Sequence, residues 1–445
     1  MRKIISLLAL ACTLSVAAQE TLNIEQVRQL ALDNNSKAKN AALTTQIAEQ
    51  AVKQYRANYF PDFSLTGAAA WGSSKKNLYY RSMADANAIL AQLAPVIGLP
   101  IQLPDLSLDF EMGWILSGGI MMKQPVFMGG RIVAANRIAR HSLAMARQNQ
   151  RLTDTEIIEQ ADQAYINVVR AYELGEVAKR YHELLTELER NVQSAVDVGM
   201  KMPADLLRVQ VKKNEVELKM MRAANGVRLA TMNLNHVIGR PLSTETRVDT
   251  ALLVATEASA DASALRPEFA IMQEKSAIAR QQVNVVRAEA LPSVALLARY
   301  GYSRGLKIND NLLIDGGSFL GGVTVNIPLF HFGERAAKLR QAKLRAEQAE
   351  NDLRDVEEKL SLALAKAQNE VNEAQMEVEL GSLSVRQAET SMNMTRQQFD
   401  NGMATLSDLL DAQALWQQAR QTEIDARFNL FVARTSLLKA MGALR

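Results

Sequence analysis

Cysteine is almost missing from this chain of 445 residues: Cys12 stands alone, so no disulfide can form within the chain. The four histidines, at 141, 182, 236 and 331, are scattered and show no metal-ligand spacing. There is no phosphate-binding glycine loop. Aromatic residues make up 5% of the chain, few for one large globular core. Charge of one sign is not in excess either: 51 Lys and Arg face 48 Asp and Glu, a net +3, mixed along the chain. That excludes a basic nucleic-acid tract and predicts no nucleic-acid partner. Beyond the N-terminal segment no apolar run reaches the ~18 residues of a membrane-spanning helix. A periplasmic, secreted or outer-membrane β-barrel chain remains open.

The N-terminus predicts export. Arg2 and Lys3 precede an apolar run from Ile4 to Leu14, and Val16-Ala17-Ala18 offers small residues at a cleavage site before Gln19. Residues 1–18 are thus expected to be a signal peptide. The rival reading is lipidation of Cys12, although Ala9-Leu10-Ala11-Cys12 places its leucine poorly for that.

What the sequence does contain is a repeat. Pro125 and Pro328, Gly199 and Gly402, and Gly239 and Gly442 are each 203 residues apart. Two copies of one structural unit are expected, residues 19–239 and 267–445, joined by a Pro- and Thr-rich connector over 240–266 with one short strand at 251–255. Each copy reads as helix, strand, loop, strand, very long helix, turn, helix.

The opening helix is expected over 23–57. The β-hairpins fall at 60–124 and 292–329. Phe63, Leu65, Gly67, Ala69 and Trp71 alternate with small and polar residues, as do Met112, Trp114, Leu116, Ile120 and Met122. Val294, Leu296, Ala298, Tyr300 and Tyr302 repeat the pattern, followed by Val323, Val325 and Ile327. Four such strands cannot make a sandwich by themselves. They suit a transmembrane barrel that other chains complete, with Trp71, Trp114, Tyr300 and Tyr302 near strand ends as an aromatic girdle. The first hairpin is 28 residues longer between its prolines, which predicts an exposed loop around 73–109.

From Arg131 to Val198 there is no proline and one glycine, Gly175, and apolar residues recur mostly at three- and four-residue steps. A helix of that length spans roughly 100 Å. Residues 335–401 copy it. Gly199 and Gly402 then turn the chain into returning helices at 203–236 and 406–439. One catalytic pattern occurs, Gly301-Tyr302-Ser303-Arg304-Gly305, which needs a strand before it and a helix after it. A loop is expected after it instead, so no enzyme activity, catalytic residue, metal or cofactor is predicted.

In order and spacing, the chain resembles the TolC family of outer-membrane efflux proteins. The residues that carry the resemblance are Tyr59-Phe60-Pro61 and Ala290-Leu291-Pro292 entering the strands, and Gln124-Pro125-Val126-Phe127 and Ile327-Pro328-Leu329-Phe330 leaving them. To these is added the run from Phe399 through Asn401-Gly402-Met403 to Ala412. The resemblance covers essentially all of the chain after residue 18. It implies a mainly α fold with a small β part. Three chains of four strands would close a transmembrane barrel, and their long helices a periplasmic tunnel. It implies a homotrimer in the outer membrane, in contact with its lipid, with a periplasmic extension. This duct serves a tripartite pump or type I secretion, through a periplasmic adaptor and an inner-membrane RND or ABC transporter. Gly199, Met200, Gly402 and Met403 are the implied adaptor contacts. Asp408 and Asp411 stand where the family narrows its periplasmic mouth. Their repeat partners are Asp205 and Arg208, and Arg208 is a candidate partner for Asp411. Thr405-Leu406-Ser407-Asp408 also reads as a capping box, which gives Asp408 a purely structural alternative. Other open readings are a periplasmic coiled-coil scaffold without a pore, a duct specific for heavy metals, and a passive porin, which needs many more strands.

Overall fold

The computed structural model describes residues 21–250, 266–330 and 332–444. The expected signal peptide with Cys12, the short strand at 251–255 and His331 lie outside the described residues. The elements in order are α1 (Ile24–Asn34), α2 (Ser36–Ala57), β1 (Asp62–Arg81), α3 (Ala84–Ile97), β2 (Leu106–Met128), α4 (Arg131–Asp197) and α5 (Pro203–Val237). Then come α6 (Pro267–Ala288), β3 (Ser293–Ile308), β4 (Asn311–Asn326), α7 (Glu334–Asp400) and α8 (Leu406–Ala440).

The repeat holds to the residue. Helices α4 and α7 both have 67 residues, α5 and α8 both have 35, and all four boundaries are offset by 203. Helices α2 and α6 both have 22 residues but are offset by 231, so the additional 28 lie within the first hairpin.

Three expectations are corrected. The opening helix is two helices. Asn35 is extended (φ −63°, ψ 133°), its side-chain carbonyl accepts from Lys37 N–H at 2.8 Å, and its amide donates to the Val237 carbonyl at 3.0 Å. Asn and Ser bind local backbone groups and so break a helix. The strands are longer than expected, 20 and 23 residues in the first hairpin and 16 each in the second. Small and polar residues beyond the apolar stretches still pair across the ladder. Finally, the connection between β1 and β2 holds a helix, α3, rather than an irregular loop.

The chain divides into two compact units, and these are not the sequence halves. One takes the segments up to Ala48, Ser142–Ser276 and from Gln348 onward; the other takes Glu49–His141 and Ala277–Glu347. Each unit draws on both copies.

The first unit is helical. Its larger core gathers Val27, Ile157, Val168, Leu234 and Phe428 from α1, α4, α5 and α8. A second core joins Leu185 and Val192 of α4 to Val209, Leu409 and Trp416 of α5 and α8. Most of the three-and-four stripe read along α4 is buried; Tyr172 is an exception. A buried carboxylate lies at the larger core with a half-buried partner: Arg28 Nε and Nη2 donate to the two carboxylate oxygens of Asp162, each at 2.7 Å. Burial pushes the Asp162 carboxyl up, and Arg28 opposes that shift. Buried Asn235 donates to the Thr244 carbonyl at 2.7 Å and accepts from Thr246 Oγ1 at 2.6 Å. These bonds pin the start of the connector.

The second unit contains one antiparallel sheet of order β1-β2-β3-β4, with β1 and β4 at its edges. Asn309 (φ 48°) and Asp310 (φ 64°) form the two-residue turn between β3 and β4. Two left-handed residues match the twist of paired strands, and Asn and Asp tolerate that conformation. Ser303 therefore sits inside β3, with a strand and not a helix after the turn. The serine-hydrolase geometry is not formed.

Candidate functional site

Strand register decides which side chains share a face. Leu65 pairs with Ile120, Ile120 with Tyr300, and Tyr300 with Phe319. These four form one row across the sheet, and all are exposed. Phe63, Leu296, Val323 and Val325 lie on the same face. The apolar series read separately in each strand thus meet on one side. The face changes character upward from the α2 and α6 end. After the row Gly67, Gly118, Tyr302 and Gly317 comes a row with Arg304 and Asp315, and the Tyr302 hydroxyl donates to the Asp315 carboxylate.

The opposite face is polar and small. Arg299 Nη2 donates to Ser117 Oγ at 2.8 Å, with Ser303 beside it. Thr66, Gly119, Gly301 and Ser318 form the next row, and Met121 and Leu320 interrupt the polarity. Farther up, Lys75 and Glu111 pair at 3.2 Å.

The aromatic residues are not where a strand-end girdle puts them. Trp71 faces Trp114 directly, both 64% exposed, with ten residues of β1 still to follow. Tyr300 and Tyr302 lie in mid-strand. The strand entrances and exits carry their own exposed aromatics, Tyr59, Phe60, Phe127, Phe330 and Phe332, with Phe330 and Phe332 edge to face at 4.8 Å. The sequence signal for these was present in the motifs flanking the strands.

The helical unit presents a second site at its two turns. Gly199 (φ 76°) and Gly402 (φ 73°) end α4 and α7. Met200 N–H donates to the Ala195 carbonyl at 2.8 Å, and Met403 N–H to the Gln398 carbonyl at 2.7 Å. This is the Schellman closure of a helix end. In that motif the residue after glycine usually packs back on the helix. Here Met200 is 80% and Met403 73% exposed. Lys201 Nζ lies 4.5 Å from the centre of the Phe399 ring and ties one turn to the other, a contact with no local sequence signal.

The four acidic and basic candidates separate. Asp408 completes a capping box: its carboxylate accepts from Thr405 N–H at 2.9 Å and Thr405 Oγ1 at 2.7 Å, and its own N–H donates to Thr405 Oγ1 at 3.2 Å. The Thr405 hydroxyl, then its N–H, hold the Asp408 carboxyl below the usual range. Asp205 holds the matching place on α5, where Met202 supplies no side-chain cap and Pro203 opens the helix. Asp411 is exposed, one turn along α8. It is close enough to raise Tyr181, which burial, Glu215 and Asp411 together push up to about 12. Arg208 is exposed too, and among the described residues no ion pair joins it to Asp411. Among the described residues no group of three or more His, Cys, Asp or Glu is arranged to hold a metal, and no helix is long and apolar enough to cross a membrane.

Comparison with known proteins adds the following. A family model described as "Outer membrane efflux protein" matches residues 27–240 and 258–443. The chain is 24% identical over 327 residues to the outer membrane efflux protein BepC of Brucella suis, covering 73% of this chain and 71% of that one. It is 20% identical over 459 residues to the proteases secretion protein PrtF of Dickeya chrysanthemi, covering 100% and 93%. Among solved structures, the Campylobacter jejuni CmeC outer membrane channel superposes with a TM-score of 0.77 at 17% identity, over 94% of this chain and 85% of that one. The Vibrio cholerae outer membrane protein VceC gives 0.75 at 18% identity, over 94% and 96%.

Proposed function

The chain belongs to the outer membrane efflux protein family, and from that premise we propose that three copies close their sheets into one barrel that serves as the exit duct of a tripartite pump or secretion system. The protein is an outer-membrane efflux channel component with a small β part and long helices. The observation that carries the trimer is the open sheet: four long strands, two unpaired edges and one exposed apolar face. Long bare edges must be paired. An eight-stranded barrel fills its interior with side chains, whereas the two middle rows of the polar face here hold only Gly, Ala, Ser and Thr. Twelve strands leave an open lumen. The exposed row of Leu65, Ile120, Tyr300 and Phe319 also argues against a pore-free scaffold, because a soluble protein rarely leaves such a patch bare.

The lipid band follows from the face. Phe63 through Trp71 is nine residues, close to the ~9–11 of a transmembrane strand. Its outer border is marked by Tyr302, one row below Arg304 and Asp315, and by Trp71 and Trp114, one row above them. Tyr59, Phe60, Phe127, Phe330 and Phe332 mark the inner one. Tyr300 sits within the band rather than at its border.

At the other site, Gly199 and Gly402 hold Met200 and Met403 outward as soft apolar contacts for a periplasmic adaptor. The adaptor connects to an inner-membrane transporter that supplies the energy. Asp411, whose carboxylate no cap occupies, is the better candidate for an acidic ring at the mouth, with Arg208 of a neighbouring copy as its partner. Asp408 and Asp205 serve mainly as helix starts. Photo-crosslinkers at Met200 and Met403 in cells are expected to capture an adaptor, while native mass spectrometry gives three copies. Capture of no periplasmic partner by a verified trimer overturns the docking assignment.

A further inference from the structure

Between Ala86 and Pro104 the chain has no charged residue. Most of that stretch is α3 and the segment after it, and several of its apolar side chains are exposed: Ile89 at 61%, Leu93 at 43% and Leu99 at 64%. Polar groups within the loop tie the segment to itself. Asn87 Nδ2 donates to the Leu103 carbonyl at 2.7 Å, and Asn87 Oδ1 accepts from Leu103 N–H at 2.6 Å. The Asp105 carboxylate accepts from Met83 N–H at 2.7 Å and from the Tyr80 hydroxyl at 3.1 Å. With Asn87 and Asp105 bonded internally, what remains for a partner is an uncharged and largely apolar surface.

Its position selects the partner. Strand β1 continues for ten residues past Trp71. At a rise of ~3.3 Å and a tilt near 40°, that places α3 roughly 25 Å beyond the lipid band. An interfacial helix binds lipid through Lys and Arg on its polar face, and this segment has neither. Tyr80, which tethers the loop, pairs with Ser107; two register shifts precede it, and by pairing it belongs to the polar, lumen-side set. The tether therefore draws the loop toward the barrel axis. On the trimer reading above, on which this inference rests, three copies of this surface surround that axis.

We infer that the α3 segments of three copies pack against one another over the outer mouth and narrow it. The occupant of each apolar face is a second copy of the same helix. The one charge of α3, Asp85, stands in its first turn, and the surface that follows it, with Ile89, Leu93 and Leu99, carries no like charges to repel a second copy.

The experiment uses the full chain in a Cys12→Ala background, which has no other cysteine. Single variants Ile89→Cys and Leu93→Cys are oxidised in the purified trimer. A disulfide between protomers is expected at one of them, since a Cα separation of about 4.4–6.8 Å suffices. Leu93→Asp places three carboxylates together and is expected to raise single-channel conductance about two-fold or more by their repulsion. A trimer that conducts, yet forms no disulfide at either position and keeps its conductance in Leu93→Asp, overturns the inference. So does quenching of a label at Leu93 by lipid-soluble quenchers. Loss of the trimer itself in native mass spectrometry of the unaltered chain points instead to failure of the underlying trimer reading.

Discussion

Gly239 and Gly199 end returning and outgoing helices with the same backbone, φ 69° and 76°, yet alanine is expected to act very differently at the two. Placing a Cβ on a left-handed residue costs ~1–2 kcal/mol. At Gly199 nothing lies within 4 Å of the added atom, so that strain is the whole effect. At Gly239 the added atom sits 2.7 Å from Asn34 Cβ and 3.0 Å from the Asn34 carbonyl oxygen. The backbone at the α1–α2 junction has to move, and with it the bond from Asn35 Nδ2 to the Val237 carbonyl. Overpacking of that kind adds ~1–3 kcal/mol. Hydrogen exchange read by mass spectrometry on the detergent-solubilised protein separates the two. Gly239→Ala is expected to speed exchange around residues 31–39 and 234–240 by at least tenfold, about 1.4 kcal/mol. Gly199→Ala is expected to loosen only the turn at 195–200. Equal and purely local effects of both variants refute the reasoning, because they leave no role for the contact with Asn34.

Arg28→Met strands the buried Asp162 carboxylate and is expected to cost ~3–5 kcal/mol, seen as a lower dissociation temperature and lost protection in α1. Leu65→Arg on the apolar face is expected to cost ~2–4 kcal/mol in membrane insertion, whereas Thr66→Arg on the opposite face leaves folding yield in vesicles nearly unchanged. Thr405→Ala is expected to remove ~1 kcal/mol from the start of α8, measured as amide exchange at Asp408 and Leu409. The same cap depends on pH. Because the folded Asp408 carboxyl is depressed below its unfolded value near ~4, the stabilisation is fully present above that value. It is lost as pH falls through the lower folded value, and exchange at those two amides, corrected for its intrinsic rate, reports the loss.

Much of this was legible because two periodicities and a fixed offset encode it. The boundaries of α4 against α7 and of α5 against α8 repeat as Gly199, Gly402, Gly239 and Gly442 repeat. The alternation in Phe63–Trp71 and in Val294–Tyr302 named the face that the register assembles. Local competition hid other features. The Asn34-Asn35-Ser36 run breaks a helix whose apolar pattern continues across it. Strand ends beyond Trp71 are polar and lack the alternation that marks a half-buried strand, so in the sequence Trp71 and Trp114 look terminal. Segment α3 carries exposed apolar residues such as Ile89 and Leu93, and a pattern with no visible core reads as loop. Pairs such as Arg28 with Asp162 and Lys201 with Phe399 join distant segments, so no window along the chain contains them. The capping box at Thr405 was readable, and its formation moves attention from Asp408 to Asp411.

The central claim is that four open strands from each of three copies enclose a conducting lumen. Step conductance of the purified, trimeric full chain in a planar bilayer tests it most directly. Uniform discrete steps are the expected result. Trimers that are inserted in the bilayer yet give no steps contradict the account.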